Sequence, residues 1–359
     1  MFAVSMIRRV RGLRWRRMGL GLVAAILVAM VGLAIYLWTA LNTIAPRSQV
    51  GDLVSLITER SDGGTLTSKM RSDQPINILF LGYGGPGHGG PYLTDSMLLV
   101  SIRPVSQTAV MISIPRDLVV PIPALPANGT ITARINLAYA IGVDRQSFPN
   151  VRASWTGATG GGDLAAATVA NVTGQPVDYW VAVDFKAFRE VVDAVGGIDL
   201  TIPEPLDDPY FPAGESIAYT HIHFDAGPQH LNGERALEYA RSRQTTSDFD
   251  RSRRQRLIVL AIQHRIDNLG SLPRLVGLVS ALRDSVRTNM RPVELRQLAH
   301  TFGLVTQDCI QQIGIDDTNV LMRQTLPDGT YLLSPRGGNF VALQRYLASA
   351  MGTQAAPGG

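Results

Sequence analysis

Short apolar runs closed by Gly or Pro punctuate the middle of the chain: residues 76–81 end at Gly82, 97–102 form a second run, and 109–114 end at Pro115. Runs this brief, apolar on both faces and bounded by breakers, are the pattern of buried central strands. Beyond them the period changes. Residues 134–141 and 163–172 read as helices, 179–183 as a strand, 185–195 as a helix closed by Gly196-Gly197, and 198–202 as another strand. Such alternation predicts an α/β fold, a three-layer αβα sandwich with a mixed central sheet. The stretch 207–229, rich in Pro, Asp, Gly and His, reads as a long loop or hairpin. Helical pattern dominates 233–305 and is clearest over 251–269 and 292–304.

The N-terminus has a different texture. Arg8, Arg9, Arg11, Arg14, Arg16 and Arg17 precede an uncharged apolar stretch at 18–38, and the next charge is Arg47. A helix of this length covers about 30 Å of hydrocarbon. A cleaved signal peptide is the rival reading, but the apolar run is long for one and lacks an obvious small-residue cleavage pattern. The chain therefore divides into an Arg-rich tail at 1–17, a transmembrane helix at 18–38, a polar stalk at 39–74 with a short possible helix over 51–59, a folded domain at 75–350 and a frayed tail at 351–359. Basic residues before the span place the N-terminus in the cytoplasm. A single-pass protein of the cell membrane with an extracytoplasmic domain is expected.

This division also accounts for the basic composition. The 359 residues carry 33 Lys and Arg against 29 Asp and Glu, but the first 46 residues hold six of the basic residues and no acid. The remainder has 27 basic and 29 acidic residues, so nucleic-acid binding by bulk charge has no support. With 45% hydrophobic residues there is material for a sizeable core, and the single cysteine, Cys309, excludes an intrachain disulfide and reads as a small buried residue.

Clustered arginine must then be explained locally. Tyr239-Ala240-Arg241-Ser242-Arg243 is followed by Asp248, Arg251, Arg254 and Gln255. Arginines two apart share a side on extended backbone, whereas positions i, i+3 and i+4 share a face on a helix. A strand end running into a helix start would aim several guanidiniums at one point, the arrangement that grips phosphate. The competing reading is a solvated basic face. Two further charged positions stand at strand ends, where ligands of open α/β sheets bind. Asp95 opens a strand after a turn, and Arg116-Asp117 closes one; a carboxylate beside such arginines suggests Mg²⁺, while a turn cap and an internal ion pair are the plain alternatives.

The run Gly82-Tyr83-Gly84-Gly85-Pro86-Gly87-His88-Gly89-Gly90 lacks the Gly-Lys-Ser/Thr ending of a phosphate loop and reads as a flexible active-site rim. His221 and His223 share one side of a strand and could ligate a metal, but no third ligand joins them at a convincing spacing.

Taken together, the chain resembles the LytR-CpsA-Psr family of cell-envelope proteins. The matching pieces are Thr94-Asp95-Ser96-Met97, Ser113-Ile114-Pro115-Arg116-Asp117, Arg134-Ile135-Asn136-Leu137-Ala138-Tyr139 and Tyr179-Trp180-Val181-Ala182-Val183-Asp184-Phe185. They continue in the family's order with Val192-Asp193-Ala194-Val195-Gly196-Gly197-Ile198-Asp199, Leu231-Asn232-Gly233-Glu234-Arg235-Ala236-Leu237, Tyr239-Ala240-Arg241-Ser242-Arg243 and Asp248-x-x-Arg251-x-x-Arg254-Gln255.

The resemblance implies a phosphotransferase that moves a glycopolymer from a polyprenyl-pyrophosphate carrier to peptidoglycan through a phosphodiester. It implies Arg116, Arg241, Arg243 and Arg251 on the pyrophosphate, with Gln255 completing the set and Arg134 nearby, and Asp95 on Mg²⁺. Arg116 is read as the residue nearest the reacting phosphorus and Asp117 beside it as the second catalytic residue; Asp117 or Asp248 could supply a further carboxylate. A polyprenyl-pyrophosphate phosphatase and a non-catalytic protein that binds lipid-linked intermediates are the alternatives. The sequence departs from the family at two places: Gly84 stands where an aspartate is often found, and Leu93 where an arginine is.

Overall fold

The structure, a computed structural model, describes residues 65–212, 219–242, 248–268, 286–291, 294, 298, 305, 309–326, 329 and 331–352. The expected transmembrane span at 18–38, the helix at 51–59, Arg243, most of the helix at 292–304 and the tail from 353 lie outside them. Among the described residues no helix is long and apolar enough to cross a membrane.

The chain enters through α1 (Thr65–Ser72) and the three expected strands, β1 (Ile76–Tyr83), β2 (Thr94–Arg103) and β3 (Thr108–Ser113). A small ladder, β4 (Val119–Ile122) with β5 (Ile131–Arg134), leads to α2 (Leu137–Val143) and α3 (Gly160–Thr173). Next come β6 (Tyr179–Asp184), α4 (Phe185–Ala194) and β7 (Ile198–Ile202). The hairpin β8 (Leu206–Pro212) and β9 (Tyr219–Phe224) precedes β10 (Gly227–Leu231), α5 (Gly233–Arg241) and α6 (Asp248–Asn268). The C-terminal part adds β11 (Val286–Thr288), β12 (Ile310–Gly314), β13 (Leu321–Thr325), β14 (Tyr331–Pro335) and α7 (Val341–Ala350).

The main sheet has six strands in the order β11-β6-β1-β2-β3-β12. It is mixed: β1 runs parallel to β6 and β3 parallel to β12, while β2 is antiparallel to both its neighbours. The carboxyl ends of β1, β3, β6 and β12 therefore meet the amino end of β2 at one edge. Alternate strand residues feed opposite faces. Leu79, Leu81, Leu99 and Ile112 join a core with residues of α2, α3 and α7, whereas Ile76, Ile78, Val100 and Met111 pack with Leu66 of α1 and with Met290, Leu298 and Val305. A third core lies between β7–β10 and the helices α5 and α6.

Four local expectations change. Residues 65–72, assigned to the stalk, are a helix: Leu66 is buried against the sheet and Lys69 reaches Asp178 at 2.6 Å. Arg134 ends a strand, and the helix expected over 134–141 begins only at Leu137. Residues 239–241 are the end of α5 and not a strand end, because Asn232 caps a continuous apolar face that buries Ala236, Leu237 and Tyr239. Cys309 is exposed, lying just before edge strand β12.

The three glycines opening α3 have a packing reason. A Cβ on Gly162 would stand 2.1 Å from the Trp180 ring, so helix and strand touch backbone to indole, and Trp180 Nε1 donates to Asp163 at 2.7 Å.

Candidate active site

A cleft of about 70 Å³ opens at the edge where β2 begins and β3 and β12 end. Its wall is built from Asp95, Ser96 and Met97, from 113–116, from Arg251, Gln255 and Arg256 of α6, and from Gly314, Ile315 and Asp316 beyond β12. Three guanidiniums thus face two carboxylates and one amide, leaving an excess of positive charge suited to an anion. A wider groove of about 550 Å³ lies between β7, β10 and α6, but among the described residues no arginine lines it.

Arg116 is placed by two carboxylates. One guanidinium nitrogen, Nη1, makes a short contact with Asp95 Oδ1, and Nε donates to Asp117 Oδ2 at 3.3 Å. Asp117, 3% exposed, also receives the Tyr331 hydroxyl at 3.2 Å and pairs with Arg134 Nη1 at 3.3 Å. Arg134 in turn donates through Nη2 to the Tyr331 carbonyl at 3.2 Å. Asp117 and Arg134 therefore stand behind the cleft wall, orienting Arg116 through a network centred on the buried Asp117 carboxylate. This is the internal ion pair that strand-end charge left open.

The α6 residues divide between two neighbours. Arg251, 5% exposed, points Nη2 at the Asp95 carbonyl at 3.3 Å, and Gln255 accepts from Ser96 Oγ at 2.9 Å. Arg254, also buried, turns away: Nε donates to the Tyr239 carbonyl at 3.0 Å and Nη2 bonds the Ser242 carbonyl. It closes the C-terminus of α5, where carbonyls lack helical partners. Burial lowers the Arg254 and Arg256 guanidiniums from their usual range, yet arginine stays charged at neutral pH.

Arg241, the last residue of α5, lies outside the cleft wall. Its guanidinium sits 4.5 Å from the Phe185 ring centre and 5.1 Å from that of Phe211. Ser242 beside it donates to buried Asp208 at 2.7 Å, and Gln255 Nε2 reaches the Ala240 carbonyl at 3.4 Å. Arg241 is thus held along the same sheet edge, toward the carboxyl ends of β1 and β6. Arg243 cannot be placed with it, being outside the described residues.

Two wall residues were not picked out by sequence reasoning. Arg256 donates to Ser113 Oγ at 2.6 Å and to Gln312 Oε1 at 2.9 Å. Asp316 accepts from the backbone of Thr318 at 2.9 Å and of Asn319 at 3.2 Å while lining the cleft. The sequence carries no strand signal ahead of Asp316, because Ile310-Gln311-Gln312-Ile313-Gly314 lacks the unbroken apolar run that marked the strand ends at Asp95 and Arg116.

For a metal, the cleft offers Asp95 and Asp316, and among the described residues no group of three His, Cys, Asp or Glu could hold one. A Cβ on Gly84 would come within 2.9 Å of His88 Cβ, so His88 packs where a side chain at 84 would begin. Mg²⁺ is commonly bound by one or two carboxylates with phosphate oxygens completing its shell. The donor set fits a cation that arrives with a phosphate ligand, and not one caged by protein alone. His221 and His223 instead share Asp207, at 2.7 and 3.0 Å, on an exposed hairpin.

Comparison with known proteins bears on this edge. The profile of the LytR_cpsA_psr family matches residues 53–347. The polyisoprenyl-teichoic acid–peptidoglycan teichoic acid transferase TagV of Bacillus subtilis is 30% identical over 76% of this chain, which spans 64% of that relative's length. The corresponding TagU of Bacillus mycoides is 26% identical, with 79% of this chain and 81% of the relative covered. The crystal structure of B. subtilis TagV superposes with a TM-score of 0.58 at 29% identity, covering 79% of this chain and 99% of that one. A Streptococcus agalactiae protein shares the fold at a TM-score of 0.60 and 24% identity, with 80% and 91% covered.

Proposed function

The chain belongs to the LytR-CpsA-Psr family, and from that premise we propose that it is a phosphotransferase moving a glycopolymer from a polyprenyl-pyrophosphate carrier onto peptidoglycan. The observation that carries the reading is the cleft in which Arg116, Arg251, Arg256 and Gln255 converge beside Asp95. The names of the relatives, transferases of polyisoprenyl-linked teichoic acid to peptidoglycan, supply the substrate class.

In this reading the pyrophosphate lies against Arg116 and Arg251, with Gln255 donating and Arg241 and Arg134 reinforcing the positive field from the flanks. A sugar hydroxyl of the acceptor attacks the sugar-linked phosphorus in line, a phosphodiester forms, and polyprenyl phosphate leaves. Charge grows on the leaving phosphate, so preorganised guanidiniums act by electrostatic stabilisation and positioning. Mg²⁺, held through Asp95 and substrate oxygens, would neutralise part of the pyrophosphate charge. Arg116, fixed between Asp95 and Asp117, is the residue assigned nearest the reacting phosphorus.

An anchor over residues 18–38, with the domain on the extracytoplasmic side, fits a lipid-linked donor and a cell-wall acceptor. What supports it is the uncharged run after six arginines.

The test is Arg116→Ala in a transfer assay with lipid-linked polymer, a peptidoglycan fragment and Mg²⁺. Loss of a donor to a developing charge costs about a hundredfold in rate or more. Attachment at the wild-type rate in this variant would overturn the assignment, and phosphate release by the wild type without acceptor would make the protein a phosphatase instead.

A further inference from the structure

The hairpin β8–β9 has two faces that do different things. Asp208, Phe211, Ile222 and Phe224 point inward; Asp208 is fully buried and holds Ser242, and Phe211 lies under Arg241. The outward face follows the period of two along β9, Tyr219, His221 and His223, with Asp207 opposite His223 on β8.

Two tyrosines stand out on that face. Tyr210 is 61% exposed and Tyr219 63%, and their rings meet edge to face with centroids 6.2 Å apart. Beside them runs a polar row in which His221 Nε2 and His223 Nδ1 share Asp207 Oδ1, and His223 Nε2 reaches Asp225 at 3.2 Å. Exposed rings next to fixed hydrogen-bonding groups suit a ligand that is apolar on one side and hydroxylated on its rim. A pyranose ring, with an axial C–H face and equatorial hydroxyls, has that character.

Charge selects among sugar chains. From Thr201 to Glu234 the sequence contains no Lys or Arg, and Arg235, which donates to the His223 carbonyl over the Phe224 ring, is paired with Glu238 at 2.6 Å, while Asp207 and Asp225 lie on the exposed face. Such a surface repels a polyphosphate chain and an anionic bilayer alike. We propose that the outer face of this hairpin binds the N-acetylated glycan strand of the peptidoglycan acceptor, with Tyr210 and Tyr219 stacking on sugar rings. The inner face holds Arg241 and Ser242, so the same hairpin links acceptor glycan to the arginine edge. The identity of the acceptor rests on the phosphotransferase reading; the sugar chemistry rests on the hairpin.

The experiment uses the full chain in detergent and measures binding by calorimetry, without turnover. Its probes are a β-1,4-linked N-acetylglucosamine tetramer, a glycerol phosphate oligomer and phosphatidylglycerol vesicles. The tetramer should bind, the other two should not, and Tyr210→Ala with Tyr219→Ala should weaken the tetramer by about tenfold or more. Paired Tyr→Phe changes should keep binding within about threefold, since the ring faces remain. In transfer assays the double Ala variant should raise the acceptor KM with kcat retained.

Equal tetramer binding by the double Ala variant, or preference for either anionic probe, overturns the proposal. A wild type that transfers polymer yet ignores the tetramer refutes this surface and leaves the function standing. One that binds the tetramer through these tyrosines but transfers nothing refutes the function and leaves the surface standing.

Discussion

Replacing Asp117 by Asn tests whether the strand-end pair is the support of Arg116. The carboxylate is 3% exposed and has one oxygen for Arg116 Nε and the Tyr331 hydroxyl, at 3.3 and 3.2 Å, and the other for Arg134 Nη1 at 3.3 Å. Asparagine keeps one acceptor and turns the other into a donor, so one of the two arginines faces an N–H. Breaking a buried pair costs about 3–5 kcal/mol. Here the Arg134 side chain is 37% exposed and Arg116 16%, so water relieves part of the loss and about 2–3 kcal/mol is expected. At roughly 2–4 °C per kcal/mol for a domain of this size, thermal unfolding followed by circular dichroism should shift down by about 4–12 °C. Arg134→Ala supplies an internal control. It leaves Asp117 paired with Arg116 and removes the more solvated partner, so its loss should be about 1 kcal/mol. A shift below about 1 °C for Asp117→Asn, or a larger loss for Arg134→Ala, would refute the reasoning.

Gly162→Ala should destabilise by about 3 kcal/mol or more in denaturant melts, because the added Cβ would overlap the Trp180 ring at 2.1 Å; a change within 0.5 kcal/mol, on the order of a surface substitution, would contradict the close approach. Arg254→Ala removes the bonds to the Tyr239 and Ser242 carbonyls and should cost about 3 kcal/mol, with Arg254→Lys intermediate because a single ammonium cannot fork across both; equal stability of Lys and Arg would count against that role. On the hairpin, bonds from Asp207 and then Asp225 raise His223 above its ordinary 6.5, and those from His221 and His223 lower Asp207 below 3.8. The His223 contribution is complete below 6.5 and fades as pH rises through the folded value, while the Asp207 contribution is complete above 3.8 and fades as pH falls through its folded value, so the pairing is strongest between them. Proton NMR of the His223 ring should titrate above 6.5 and move back toward it in Asp207→Asn; an unchanged midpoint would remove the pairing as the cause.

What was legible in the sequence is what neighbours along the chain decide. The central strands β1, β2 and β3 announce themselves because burial on both faces demands unbroken apolar runs, and α4 with β7 because Gly196 and Gly197, both at positive φ, stop a helix before a strand. The C-terminal strands were not visible. β12 reads Ile-Gln-Gln-Ile-Gly and β13 Leu-Met-Arg-Gln-Thr, polar because neighbouring positions in each are exposed, and β12 finds its partner only through β3, some two hundred residues earlier.

The site shows the same limit at the scale of one helix. Spacing groups Arg251, Arg254 and Gln255 on a face, but at about 100° per residue Arg254 and Gln255 diverge by a quarter turn. That angle is immaterial on an isolated helix and decisive on one wedged between the sheet edge and α5. Arg251 and Gln255 meet Asp95 and Ser96, whereas Arg254 meets the carbonyls of Tyr239 and Ser242. The division also explains how one helix can serve the cleft twice: with Arg254 fastening α5, the bond from Gln255 to Ala240 ties Arg241 to the helix that carries Arg251. Asp316 completes the logic, since it reaches the cleft only because β12 lies parallel to β3 and ends at the same edge as Arg116. Strand-end charge is therefore the feature to read from sequence, and sheet order decides which strand ends meet.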